Sequence, residues 1–105
     1  MYVIIWKFVV KPGREREFEE AYGPRGVWAG FFRRGNGYLG TELLHGVAVP
    51  DCYFTIDRWD SSASYEAFRS RHSSEYEAID QRCESLTESE SHVGNFLSVG
   101  TPASR

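Results

Sequence analysis

The chain has 105 residues, 41% hydrophobic and 26% charged, enough for one domain with a modest single core. Its net charge is −3, with 12 basic residues scattered among 15 acidic ones, so it offers no clustered positive field for nucleic acid. No apolar run approaches the roughly 20 residues of a membrane span. Met1 leads directly into strand-like sequence, without a basic, cleavable leader. Cys52 and Cys83 lack metal-ligand spacing and fit a reducing compartment, so the chain reads as cytoplasmic.

Tyr2 to Val10 is almost continuously apolar, broken only by Lys7, and reads as a strand covered on both faces. Pro12-Gly13 ends it, and residues 14–22 follow as a helix with Phe18, Ala21 and Tyr22 on one face. Gly23-Pro24 interrupts that helix; Val27, Trp28, Phe31 and Phe32 then continue at helical spacing. After the turn signal Gly35-Asn-Gly37, residues 38–47 read as a second strand, with Gly40 marking a bulge or a close approach. Residues 52–59 form a third strand. Ser61 or Ser62 caps the next helix, where Tyr65, Phe68 and His72 share a face. Ser74-Glu-Tyr-Glu77 is a capping box, predicting a break and restart there. Tyr76, Ile79, Cys83 and Leu86 continue an apolar stripe. Residues 92–99 read as the last strand, closing a single domain over 1–99, with 100–105 a frayed tail.

The order βαββαβ is the ferredoxin-like signature: a four-stranded antiparallel sheet with its helices on one face. Both faces of the first strand are apolar, Val3, Ile5 and Val9 on one side and Ile4, Trp6 and Phe8 on the other. Two helical segments cover only one of them. A second copy packing sheet against sheet, around a two-fold axis, would cover the other. The expectation is a homodimer.

The run from Thr55 to Phe68 brings a strand ending in Trp59 into a Ser-capped helix bearing Tyr65 and Phe68. That is a wall for a ring-shaped ligand, or equally a small domain filling its core. Trp59 is core packing in most small domains, Thr55 is a strand-favoured residue, and a buried Tyr65 hydroxyl needs a partner of its own. His72 is within reach of Glu75 and Tyr76. His45 and His92 lie on different strands and do not support a metal site. Cys83 sits on an apolar stripe, Cys52 starts a strand, and no Gly-rich loop opens a helix to cradle phosphate.

Gly37-Tyr-Leu-Gly-Thr-Glu-Leu-Leu44, Tyr53-Phe-Thr-Ile-Asp-Arg-Trp-Asp-Ser61 and Tyr65-Glu-Ala-Phe68 resemble the antibiotic biosynthesis monooxygenase domain family, over nearly the whole chain. The resemblance implies a dimeric α/β barrel with a pocket between sheet and helices in each subunit. It includes enzymes that oxidise polycyclic phenols or quinols with O2 and no metal or flavin, as well as haem-degrading enzymes, isomerases and proteins of no known activity. Its cofactor-free monooxygenases use an Asn on the third strand, a Trp four residues on and a Tyr six residues after that. Trp59 and Tyr65 match the last two, and Thr55 holds the Asn position. Thr offers one short hydroxyl where Asn offers a donor and an acceptor group. An Arg on the late helix also contributes, near Arg82. The haem-degrading pattern of Asn, Trp and His falls here on Trp6–Lys7, Phe68 and Ala78, and does not match.

The reading that follows is a cofactor-independent, oxygenase-like enzyme acting with O2 on a small phenolic or quinol-type aromatic. Trp59, Tyr65 and Thr55 carry the chemistry; Trp28, Phe68, His72 and Arg82 bind the substrate. The alternatives are a non-catalytic ligand-binding or stress-associated dimeric module on the same scaffold, and a small-molecule isomerase.

Overall fold

The computed structural model describes residues 1–100. Its elements run β1 (Tyr2–Val10), α1 (Glu15–Tyr22), α2 (Val27–Phe32), β2 (Tyr38–His45), β3 (Cys52–Trp59), α3 (Ser62–Arg71), α4 (Ser73–Cys83), a 3-10 turn (Glu84–Leu86) and β4 (Thr87–Leu97). The four strands pair antiparallel in the order β2-β3-β1-β4. This is the ferredoxin-like α+β fold. The segment 101–105 of the expected tail lies outside the described residues.

Period-two alternation decides which side chains meet the helices. Ile4, Phe8 and Val10 of β1 and Tyr53, Thr55, Asp57 and Trp59 of β3 point inward and are buried. They pack beneath Phe18 and Tyr22 of α1, Trp28, Phe31 and Phe32 of α2, Phe68 of α3, and Cys83 and Leu86. Aromatic rings dominate this core, with Phe18 stacked on Tyr22 at 4.3 Å and Phe8 against Tyr22 at 4.8 Å between centroids. Such pairs add about 0.5–1.5 kcal/mol each beyond their area burial.

The opposite face of the sheet carries Val3, Ile5 and Val9 of β1 with Phe54 and Ile56 of β3, all partly exposed. Leu44 and Phe96 extend it, opposite Phe54 and Val3 respectively. No helix covers this face in the single chain.

Several local signals hold. The Ser61 hydroxyl accepts from the Ser64 amide at 3.1 Å and caps α3. Gly37 has φ +92°, and a Cβ there would lie 2.4 Å from Asp60 Oδ1, so the turn into β2 requires glycine. At Gly40 the β2–β3 register shifts, as a bulge does.

Two expectations fail. The helix restarts at Ser73 behind His72 with no side-chain cap, so the Ser74–Glu77 capping box does not form. The last strand begins at Thr87, not at residue 92. Residues 87–91 alternate polar with polar because β4 is an edge strand. Pairing with β1, not burial, makes them a strand.

Candidate active site

Between the sheet and the helices lies a cavity of about 50 Å3. Its floor is made by Trp6 and Phe8 of β1, Thr41 of β2, Thr55 and Asp57 of β3, and Glu90 of β4. Tyr22, Trp28, Phe32, Tyr76 and Asp80 close it from the helical side. Register places these groups: Thr55 lies opposite Trp6, Asp57 opposite Thr41 and Ile4, and Glu90 opposite Phe8. The interior is aromatic. Asp80 and Glu90 are exposed and stand at the rim.

Asp57 is the unusual group. It is a carboxyl only 9% exposed, inside an aromatic wall. The Thr41 hydroxyl donates to its Oδ1 at 2.5 Å, and the Tyr38 hydroxyl lies 2.5 Å from the Thr41 oxygen. Since Thr41 has one proton and gives it to Asp57, Tyr38 is the donor to Thr41. Desolvation raises Asp57 from 3.8 to about 6, while the Thr41 bond pulls the other way. Burial also raises the phenols of Tyr38 and Tyr65, and pushes Tyr76 up to about 12. A further buried polar group is the Trp28 indole N–H, which faces the Tyr22 hydroxyl and the Cys83 thiol without a well-formed hydrogen bond to either.

The expected site residues divide among three places. Thr55 and Trp28 line the cavity. Phe68 and His72 line a separate depression of about 320 Å3 with Arg34, Gly35 and Arg71. Trp59, Tyr65 and Arg82 line neither. Trp59 is fully buried and packs against Phe32, Tyr38, Tyr65 and Phe68, with centroids 5.3–5.9 Å away. Its indole N–H also lacks an acceptor. The Tyr65 hydroxyl accepts from Arg69 Nε at 3.2 Å. Trp59, Tyr65 and Phe68 do meet, as their spacing implies, but they meet as core packing behind Phe32. Arg82 is exposed on α4.

His72 pairs with Glu75 at 3.3 Å, and Glu75 in turn holds Arg34. His45 bonds the Pro50 carbonyl, and His92 bonds Asn95 at 2.7 Å. Among the described residues no group of three or more His, Cys, Asp or Glu side chains is placed to hold a metal ion.

Asp57 escapes a reading by residue type alone, since an acid on a strand is usually solvent-facing. Parity could have found it. Asp57 shares its face with Tyr53, Thr55 and Trp59, so once that face is inward, the acid is inward too.

The family model for antibiotic biosynthesis monooxygenases matches residues 1–82. The chain belongs to that family. Monooxygenase-like function is therefore the family-level statement for it. No curated protein matches the chain. Among solved structures, SnoaB, a cofactor-independent oxygenase from Streptomyces nogalater, is 20% identical, with a TM-score of 0.77 over 95% of this chain and 94% of that one. A Deinococcus radiodurans protein is 8% identical, with a TM-score of 0.79 over 100% and 99% of the two chains. PA3566 from Pseudomonas aeruginosa is 16% identical, with a TM-score of 0.70 over 94% of each. At these identities the antibiotic biosynthesis monooxygenase neighbours establish the fold.

Proposed function

We propose that this protein is a cofactor-independent monooxygenase of small phenolic or quinol compounds. The observation that carries the reading is an aromatic-walled cavity that also holds a buried carboxyl, Asp57. Flat walls grip a ring, and the carboxyl suits a hydroxylated one. A cavity of about 150 Å3 accommodates benzene. The cavity here has about 50 Å3, so a ring enters only by displacing side chains, and a one- or two-ring quinol suits it better than a polycycle.

In the reaction a quinol and O2 give a hydroxyquinone and water. The substrate supplies all four electrons, two lost with the quinol and two with the new C–O bond. The protein binds the ring, favours its oxyanion and keeps water out. In this proposal Trp28 and Thr55 touch the ligand, and Trp59 and Phe68 support the wall through Phe32. Tyr65 acts from behind with Arg69, while His72 and Arg82 have no direct role. A second subunit, seated on the outer face of the sheet, completes the dimer.

The test is O2 consumption with catechol, hydroquinone and naphthohydroquinone against a protein-free control. Wild type is expected to consume one O2 per quinol. Trp28→Ala and Thr55→Ala should lower kcat/KM about tenfold or more, and Tyr65→Phe less than threefold. No uptake above control with any of the three sinks the reading. Quenching of Trp fluorescence without O2 uptake would favour a binding module, the reading that the small cavity also suits.

A further inference from the structure

We propose that Asp57 is the general base of this cavity, aligned by Thr41 and Tyr38, and that the substrate is a weak hydroxyl acid that enters uncharged. This deepens the quinol reading and takes its probe from it. The geometry is a buried carboxylate with one oxygen committed and one free. Oδ1 accepts from Thr41, which Tyr38 braces in turn, whereas no other side-chain bond to Asp57 is present among the described residues. Oδ2 is therefore the acceptor left for a ligand in the aromatic cavity.

The surroundings argue against an anionic ligand and against another base. Asp80 on α4 and Glu90 on β4 stand at the mouth with negative charge. Tyr38 of β2, Tyr65 of α3, Tyr22 of α1 and Tyr76 of α4 are phenols raised by burial, protonated at neutral pH. Arg69 lies 3.5 Å over the Tyr76 ring and is bonded to Tyr65, and Arg33 at the end of α2 is the cation that acts on Tyr38.

In the proton-transfer step the substrate O–H bond breaks, its electron pair stays on the substrate oxygen, and the proton passes to Oδ2. The negative charge moves from protein to ligand, so the cavity holds one charge before and after, and a second buried anion never forms. With Asp57 near 6, the base is ionised at neutral pH yet basic enough to act.

Naphthohydroquinone is the probe, in two readouts. One is O2 uptake as a function of pH; the other, under nitrogen in D2O, is exchange of its ring hydrogens by NMR, which follows oxyanion formation without needing oxygen. Wild type should show an acid limb near pH 6 in kcat/KM and accelerate exchange. Asp57→Asn should lower both rates about 100-fold or more, the usual range for a lost general base. Thr41→Val, which keeps Asp57 but removes its donor, should move the acid limb upward, a shift that a purely structural role would not produce. If Asp57→Asn keeps both rates within threefold of wild type, or if Thr41→Val leaves the limb in place, the assignment of the base falls. Exchange in wild type without O2 uptake would sink the oxygenase reading and leave Asp57 standing. Neither activity in wild type would overturn both.

Discussion

At the scale of single residues, Asp57 sets a conflict between stability and chemistry. Its carboxyl is raised by desolvation from 3.8 to about 6. Between those values the native state holds a proton that the unfolded chain has released, so stability falls as pH rises through that window. At 1.36 kcal/mol per pKa unit, the ionised group costs the fold about 3 kcal/mol above pH 6. Asp57→Asn keeps an oxygen for the Thr41 donor and never ionises. It should therefore melt several degrees above wild type at pH 8, with the gap falling to about a third near pH 4.5 and closing only below pH 3.8. Thermal unfolding at the two pH values checks this, and an equal or lower melting temperature at pH 8 contradicts it. A residue retained at such a cost fits a functional role, since activity often rests on groups that destabilise the native state.

At the scale of elements, the turn between α2 and β2 decides whether the sheet meets the helices in register. Gly37 has a positive φ, and its carbonyl accepts from the Asp60 amide at 2.7 Å, tying the start of β2 to the end of β3. Gly37→Ala forces a Cβ against Asp60 and Ser64 as well as a strained backbone, at about 1–3 kcal/mol. Ser61→Ala loses only the cap of α3, about 1 kcal/mol. For a domain this size each kcal/mol shifts the melting temperature about 4–8 °C, so calorimetry should rank Gly37→Ala below Ser61→Ala. These turn and cap residues were legible in the sequence because each acts through its own backbone. β4 was not, because residues 87–91 become strand through pairing with β1, and an edge strand of Glu and Ser carries no apolar period. The site was legible in part for a related reason. Spacing brought Trp59, Tyr65 and Phe68 together, but only the crossing of α2 and α4 over the sheet shows that the cavity opens on the Thr55 and Asp57 side of that cluster.

At the scale of the whole molecule, the open face of the sheet is the remaining problem. No helix among the described residues is long and apolar enough to cross a membrane, so a bilayer-spanning helix does not account for the apolar surface. Leu44 and Phe96 are 43% and 46% exposed there, flanking Val3, Ile5, Phe54 and Ile56. Ile5 pairs directly with Ile56 across the central strands, which places both near the middle of the patch. A two-fold packing of two such faces would bury a surface on the order of 800 Å2 per partner, the size of a stable interface. On the same face Arg58 pairs with Glu42 at 3.2 Å within one chain, while the exposed Lys7 between Ile5 and Val9 has no ion-pair partner among the described residues and has to extend its charge to the rim of the interface. Light scattering at micromolar concentration should then give about twice the 12.0 kDa of one chain. Ile5→Glu puts two carboxylates close together near the axis and should yield monomers, with the far-ultraviolet spectrum of the fold retained. A monomeric wild type would reject the dimer, and a dimeric Ile5→Glu would move the interface to another surface.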